Sequence, residues 1–344
     1  MIQLLIAVTV SLGVSLAGTR YLIGWLTGHG IGQPIHDDVP AGHTTKAGIP
    51  TMGGVAIVGG LLAGYIITNL YRGVYTRTGI IVVLTIAAAG AVGLVDDWIK
   101  VSSERNLGLT KRAKMAGLLI VAGGFITAML TFTSVSTELA FTRRGELGID
   151  LGQAGWAVLA LLLILGATNA VNFTDGLDGL VGGSATLGFA ALTVVGFWAF
   201  RNPDLYGVTH ALDLAIVAAA MLGACIGFLW WNGAPAQIFM GDTGSLAIGA
   251  AFATLALATN THLLLVFIGG LYVAEALSVI LQIGSFQLFG RRIFRMAPVH
   301  HHFELRGWPE TTILIRFWIL SGMATAIGLG FFYADYYNAS PVTP

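Results

Sequence analysis

The chain has little charge, little proline and almost no cysteine for its length. Charged residues occupy 10% of its 344 positions, whereas a soluble domain carries about 25%, so the composition excludes an ordinary soluble fold. The single cysteine, Cys225, excludes an internal disulfide and a thiolate cluster for zinc or iron–sulfur. The formal net charge of zero gives no indication of a nucleic-acid partner, and we expect none.

The sequence instead contains long apolar runs. Hydrophobic side chains make up 56% of the sequence, and the mean hydropathy is +0.81. A helix that crosses a bilayer needs about 20 mostly apolar residues. Such runs predict an all-α polytopic integral membrane protein with one transmembrane domain over residues 1–344 and ten spans, near residues 2–25, 53–70, 78–95, 114–134, 154–172, 179–200, 211–230, 244–259, 263–286 and 312–333.

The distribution of Lys and Arg predicts an orientation in the membrane. Most of the 17 basic residues fall in loops after odd-numbered spans or at the adjoining helix ends, and basic residues are retained on the cytoplasmic side. Both termini are therefore expected outside. The outer segment 134–152 alternates in part and contains Gly145 and Gly148, which predicts a small extracytoplasmic hairpin.

Acidic residues are concentrated in three short segments between the apolar runs, all on the predicted cytoplasmic side. The segments are VGLVDDWIK, NFTDGLDGL and FMGDTGSL. A charge near hydrocarbon costs several kcal/mol unless it is paired or hydrated. We therefore expect a shared cation, with a divalent metal acting on phosphate as the leading candidate, at Asp96, Asp97, Asp175, Asp178 and Asp242.

Two of these segments have features that favour function over a plain helix end. Asp96 and Asp97 end the third predicted span, where an acid opposes the helix dipole. Asp242 precedes an apolar run, where helix N–H groups favour anions; a plain Asp N-cap is the alternative. The remaining acidic segment has a polar residue at every third position, namely Asn169, Asn172, Asp175 and Asp178. In a helix these side chains would form one polar stripe; a short turn with Asx caps is the alternative.

The basic segments on the same side are candidate phosphate contacts. Three consecutive histidines follow Pro298, and consecutive side chains converge poorly on one metal, so we favour phosphate contacts over ligation. A solvated surface that binds anionic lipid is the alternative. Lys46 lies in a glycine-rich loop whose spacing does not match a P-loop; it is either a substrate contact or a topology signal. Glu275 is an exception, an acid inside the ninth span.

Five segments together resemble the polyprenyl-phosphate N-acetylhexosamine-1-phosphate transferase superfamily. They are KAGIPTMGG, VDDWIK, NAVNFTDGLDGL, FMGDTGSLAIG and PVHHHFELRGWPE, which occur in order over nearly the whole chain. The HHHFE run is typical of the branch that serves peptidoglycan synthesis. The resemblance implies transfer of phospho-MurNAc-pentapeptide from UDP-MurNAc-pentapeptide to undecaprenyl phosphate, which gives lipid I and UMP with Mg²⁺. It also implies a bacterial inner (plasma) membrane location, contact with membrane lipids, and a cytoplasmic active site.

The resemblance further implies roles for individual residues. Asp96 and Asp97 would form a catalytic pair, and Asp242 would be catalytic and bind the metal. The phosphate contacts would be Lys46, Lys100, His300, His301 and His302. The nucleotide site would contain Asn172, Asp175, Gly176, Leu177, Asp178, Asn232, Phe239, which would stack on uracil, and Gln282. The supporting residues would be Asn169 and Ser245.

Several alternatives stay open at this point. The sister activity on UDP-N-acetylglucosamine would use the same acidic segments. An ion-coupled transporter also places acids among broken helices, but near the bilayer midplane and in symmetric halves. A lipid-binding scaffold without turnover is a third alternative, and within the transferase a covalent aspartyl-phosphate competes with direct displacement. The sequence does not fix the oligomeric state, and a homodimer is one state that it permits.

Overall fold

The computed structural model describes residues 1–29, 48–73, 75–102 and 108–339. Ten long helices in this part of the chain are α1 Ile2–Gly28, α2 Gly54–Arg72, α3 Arg77–Ser102, α4 Lys111–Phe132, α5 Gly152–Thr174, α6 Leu180–Arg201, α8 Ala211–Asn232, α9 Gly241–Ala258, α11 Gly270–Phe289 and α13 Glu310–Ala339. Three short helices are α7 Pro203–Tyr206, α10 Leu265–Ile268 and α12 Val299–Glu304.

The ten long helices are each long and apolar enough to cross a membrane. Each of them overlaps one of the ten predicted spans, so the prediction of an all-α polytopic membrane protein is confirmed. An even number of crossings brings both termini to the same side. Their location outside stays a prediction.

Two helices differ from the predicted spans in ways that matter for the site. Helix α3 continues to Ser102, so Asp96 and Asp97 lie inside it and not at its end. Lys100 pairs with Asp96 one turn later, at 2.6 Å, and this i,i+4 pair favours continued helix. The ninth span is broken at Gly269 into α10 and α11.

Helix α9 is the centre of the bundle. Every residue from 243 to 258 is buried, and the helix packs against α2, α3 and α5. Its sequence is rich in Gly and Ala, which lets neighbouring backbones approach closely where lipid supplies no hydrophobic drive. A Cβ at Gly54 of α2 would overlap the backbone of Gly244, and one at Gly93 of α3 would overlap the Asp242 carbonyl.

The predicted outer hairpin forms as a minimal antiparallel pairing. Leu139 donates its N–H to the Ile149 carbonyl at 2.8 Å, around an isolated bridge between Glu138 and Asp150. The hairpin is joined to the bundle by the Ala140 N–H, which donates to Nε2 of His262 at 2.8 Å.

A buried carboxylate joins three helices at the end of the bundle opposite the acidic segments. Asp213, in the first turn of α8, is completely buried. It accepts hydrogen bonds from Tyr65 Oη at 3.0 Å, Asn69 Nδ2 at 3.4 Å and Thr76 Oγ1 at 2.6 Å. The carboxylate therefore links α2 and the start of α3 to α8.

The close approach of α3 to α9 yields a mutational prediction. Gly93→Ala would force the start of α9 away from α3, since the added methyl meets backbone and not a flexible side chain. We expect a loss of about 1–3 kcal/mol of stability, measured as a lower thermal unfolding temperature in detergent, together with lower activity. Gly124→Ala in α4 is the matched control because no atom lies within 4 Å of its added Cβ. Equal effects of the two substitutions would contradict the packing described.

Candidate functional site

The start of α9 is held by a carboxylate from another helix. Asp97 of α3 is buried and accepts the N–H of Asp242 at 3.0 Å. It also accepts the N–H of Thr243 at 2.9 Å and its Oγ1 hydroxyl at 2.7 Å. The first N–H groups of a helix lack intrahelical partners, and a negative charge there complements the helix dipole. Asp97 therefore caps α9 and fixes the position of Asp242.

The same turn is joined by backbone hydrogen bonds to the start of α2. The N–H groups of Gly53 and Gly54 donate to the carbonyls of Phe239 and Met240, both at 2.9 Å. The N–H of Phe239 returns a bond to the Pro50 carbonyl at 2.8 Å. This arrangement links the PTMGG and FMGD segments, which are far apart in sequence. Gly241 permits the turn, with φ of +73°.

Three side chains among the described residues donate hydrogen bonds to the Asp242 carboxylate. Its Oδ1 accepts from Asn172 Nδ2 at 2.5 Å, and its Oδ2 accepts from Lys100 Nζ at 2.9 Å and Lys114 Nζ at 2.8 Å. Asn172 also donates to Ser245 Oγ at 2.9 Å; the supporting role of that serine stays a prediction. The helices α3, α4, α5 and α9 thus meet at Asp242.

Lys114 is a site residue that the sequence analysis missed. From the sequence alone, Lys114 is one of the basic residues at a helix end that indicate topology. The available signal was its position one turn inside α4, after the Thr110 cap, on the same predicted side as the acidic segments. A lysine inside an apolar helix needs a partner, and here the partner is Asp242.

Asp96 completes the acidic centre, which we define as Asp96, Asp97 and Asp242. The Asp96 side chain is buried, and its Oδ1 accepts the Leu109 N–H at 2.8 Å. Lys100 Nζ lies 2.6 Å from its Oδ2 and 3.9 Å from Oδ1 of Asp97. Among the contacts of the described residues, two lysines therefore face three carboxylates, which favours a further cation.

The acidic centre fits a divalent metal that prefers oxygen. One oxygen from each of the three carboxylates lies within 4.8 Å of the others. A carboxylate has about four acceptor positions, and the bonds described leave positions on all three residues. Hard carboxylate oxygens are the ligands that Mg²⁺ favours. The donor set could therefore hold such an ion.

The loop between α5 and α6, residues 175–179, lies beside the acidic centre. Asp178 is buried; its Oδ2 accepts the Ala236 N–H at 3.0 Å, and its own N–H donates to Glu310 Oε1 at 3.0 Å. Asn232 accepts the Gly179 N–H at 3.1 Å and donates to the Ile238 carbonyl at 2.9 Å. Both side chains thus hold the loop against the segment after α8.

Asp175 is coupled to the acidic centre by charge. Burial is the largest of the effects that together raise the pKa of its carboxyl to about 8; the negative charges of Asp242, Asp97 and Asp178 act in the same direction, whereas Lys100 opposes them. The Asp175 carboxyl is therefore largely protonated at neutral pH in the ligand-free protein. A cation bound at the acidic centre would favour its ionised form.

The three histidines have different environments. His300 is completely buried, with Nδ1 3.2 Å from Oε1 of Glu275. His301 pairs through Nδ1 with Glu304. His302 accepts the Arg295 N–H on Nδ1 at 3.0 Å, and burial together with the two neighbouring arginines lowers its pKa. Phosphate contact stays a prediction for all three, and in this structure only His301 and His302 are partly open to solvent.

Several predicted residues make no hydrogen bond to the acidic centre in the described part of the chain. Asn169 donates to the Leu165 carbonyl of its own helix, and Gln282 bonds to the backbone of residues 293 and 294. Leu177 packs in an apolar cluster with Leu180. Phe239 is partly buried, and Lys46 lies outside the described residues. Their binding roles stay predictions.

The fold and this site define a multi-pass membrane protein with a buried centre of carboxylates and lysines. Residues 79–260, which contain all three carboxylates, match the family model described as glycosyl transferase family 4. Residues 46–58 match the phospho-N-acetylmuramoyl-pentapeptide-transferase signature 1.

Curated relatives are similar over almost their whole length. Phospho-N-acetylmuramoyl-pentapeptide-transferase of Frankia alni is 47% identical, covering 96% of this chain and 97% of the relative. The proteins of the same name from Saccharopolyspora erythraea and Mycobacterium leprae are each 47% identical and cover 97% of this chain, with 97% and 98% of the relative. The chain belongs to the phospho-N-acetylmuramoyl-pentapeptide transferase family, which confirms the resemblance seen in the sequence.

The raised pKa of Asp175 predicts a dependence of stability on pH. The folded pKa of about 8 lies above the unfolded value of about 3.9, so the folded protein holds this proton and loses stability as pH rises from 4 through 8. Asp175→Asn removes this pH-dependent loss of stability, because the Asn side chain does not titrate. We expect the variant to gain about 1–3 kcal/mol over wild type at pH 9 and nothing near pH 4, measured by thermal unfolding without metal.

Asp150→Asn serves as the control for this experiment. Hydrogen bonds from Thr137 and Gly152 lower the pKa of Asp150, so its substitution should give no gain at high pH. A difference between Asp175→Asn and wild type that stayed constant from pH 4 to 9 would contradict the assignment.

Proposed function

We propose that the protein transfers phospho-MurNAc-pentapeptide from UDP-MurNAc-pentapeptide to undecaprenyl phosphate and so forms lipid I and UMP. The observation that carries this proposal is the convergence of Asp96, Asp97 and Asp242 with Lys100 and Lys114 in one buried site. Names of relatives 47% identical over nearly the whole chain support the choice of substrates.

The charge of the site suits phosphoryl transfer. A nucleotide diphosphate and a lipid phosphate bring several negative charges together, and catalysis depends on positioning and neutralising them. Lys100 and Lys114 form ion pairs with Asp242 at the acidic centre. From this position their ammonium groups can rotate toward a bound phosphate. We propose Mg²⁺ as the cofactor, with Asp242, Asp96 and the remaining acceptor position of Asp97 as its ligands; when bound it would neutralise phosphate charge.

We infer that Asp96 orients the reactants and does not remove a proton. The second pKa of a phosphate monoester is near 6, so the lipid phosphate is mostly doubly ionised at pH 7 and needs no strong base. Both oxygens of Asp96 are already engaged, one by the Leu109 N–H and one by Lys100. Such a carboxylate is well held and suited to positioning.

We further propose that the site faces the cytoplasm from the bacterial plasma membrane. The acidic centre lies near the end of α3 and the start of α4, where Lys100, Lys111, Arg112 and Lys114 are placed, and basic residues are retained on the cytoplasmic side. A soluble nucleotide sugar would reach the site from that compartment, whereas the lipid phosphate would enter from the inner leaflet.

A transfer assay in detergent tests the proposed function. Purified protein is given radiolabelled UDP-MurNAc-pentapeptide or UDP-N-acetylglucosamine with undecaprenyl phosphate, with and without Mg²⁺. We expect a labelled lipid product and UMP with the first nucleotide only, and only when Mg²⁺ is present. Turnover of UDP-N-acetylglucosamine instead, or product formation in EDTA, would contradict the proposal.

Substitution of Lys114 is predicted to strengthen metal binding and to slow the transfer reaction. Lys114→Met removes a positive charge 2.8 Å from Asp242, so Mn²⁺ used as a probe should bind about tenfold tighter, because charge repulsion is relieved. The transfer rate should fall about 100-fold or more, because phosphate loses a donor. Titration calorimetry and the transfer assay measure the two effects.

The matched control is Lys111→Met, three residues earlier in α4 and exposed. Neither quantity should change more than about twofold, as expected of a solvent-screened surface charge. Weaker Mn²⁺ binding in Lys114→Met would contradict the assignment of the acidic centre as the cation site.

A further inference from the structure

Glu275 is the only charged residue of α11, and its side chain is completely buried. Neither carboxylate oxygen accepts a hydrogen bond from the described residues. The nearby Ser278 hydroxyl donates to the backbone carbonyl of Glu275, at 2.6 Å, and not to its carboxylate. A buried carboxylate is unfavourable unless a positive or hydrogen-bonding group lies beside it.

The group beside it is His300 of α12. Nδ1 of His300 lies 3.2 Å from Oε1 of Glu275, and both side chains are fully enclosed. Within the described residues neither ring nitrogen makes a hydrogen bond, so the contact with Glu275 is the only ion-pair contact of the ring there. A carboxylate next to one nitrogen of an imidazole fixes the plane of the ring and leaves the other nitrogen to face a different group.

That other edge of the ring presses on the loop of residues 175–179. A Cβ placed on Gly176 would overlap Nε2 of His300 and would lie 3.3 Å from Nε2 of His301. Glycine is therefore required at position 176 for the ring to occupy this space. The imidazole of His300 occupies the space that a side chain at position 176, the residue after Asp175, would need.

The loop is held on its other sides by hydrogen bonds. The Asp178 N–H donates to Glu310 at 3.0 Å, and the Gly179 N–H donates to Asn232 at 3.1 Å. The His300 ring supports the part of the loop that these bonds do not reach. Glu275, His300 and Gly176 therefore form a continuous contact from the second turn of α11 to the residue next to Asp175.

We propose that Glu275 is a positioning residue for the nucleotide site. Through His300 it holds residues 175–179 in the arrangement that receives the uridine nucleotide, without touching the substrate itself. The inference rests on the proposed transfer reaction for the identity of the ligand. It gives a function to a completely buried acid that lies inside an apolar span, away from the acidic centre and from the Asp213 junction.

The test compares Glu275→Leu, Glu275→Gln and His300→Gln with the double variant Glu275→Leu/His300→Gln. Calorimetry gives the Kd for UDP-MurNAc-pentapeptide with Mg²⁺, and hydrogen exchange gives the protection of the amides of residues 175–180. We expect Glu275→Leu to raise Kd about tenfold and to speed exchange in this loop. Glu275→Gln, which keeps an acceptor oxygen, should show a smaller change, and the double variant should be no worse than the more affected single variant.

Asp213→Asn is the control for a purely structural role, because Asp213 is an equally buried carboxylate at the other end of the bundle. It should lower Tm while leaving Kd and loop exchange within twofold of wild type. The proposal is overturned if Glu275→Leu leaves Kd and exchange unchanged, or if the effects of Glu275→Leu and His300→Gln multiply. Failure of wild type to bind UDP-MurNAc-pentapeptide would overturn the proposed function, whereas loop exchange would still decide the role of Glu275.

Discussion

The structure depends on one charge-assisted contact, the carboxylate of Asp97 on the first N–H groups of α9. A central helix that is buried along its length cannot leave its N-terminus unsatisfied in a membrane, where no water replaces the missing partners. Asp97 meets that requirement with three hydrogen bonds. The same contact places Asp242 beside Asp96. One interaction therefore both stabilises the fold and assembles the site.

Glycines make this contact geometrically feasible. Gly93 lets α3 approach the Asp242 carbonyl, and Gly54 lets α2 approach Gly244. The close spacing of backbones brings carboxylates from α3 and α9 within reach of one cation, while the lysines from α3 and α4 offset part of their charge. A site for phosphate and metal therefore follows from how tightly small residues allow these helices to pack.

Much of the fold was predictable because a membrane span must be long and apolar, and ten such runs are visible in the sequence. The convergence of Asp96, Asp97 and Asp242 was also predictable, because buried acids in lipid require a shared compensation. The role of Asp97 as a cap on α9 was not, since it depends on the packing of residues 145 positions apart. For the same reason, the sequence indicates Lys114 only as a topology signal. The run of three consecutive histidines likewise gives no indication that His300 is buried against Glu275.

The most direct test of this account is the location of a bound ion. Crystals of the protein grown with Mn²⁺ would give an anomalous difference map that shows the ion without reference to activity. We expect one strong peak about 2.0–2.6 Å from an oxygen of Asp242, the range of hard divalent cations on oxygen ligands, with carboxylate oxygens of Asp96 and Asp97 around it. A peak bound by other residues, or no peak among these three carboxylates at saturating Mn²⁺, would contradict the central claim.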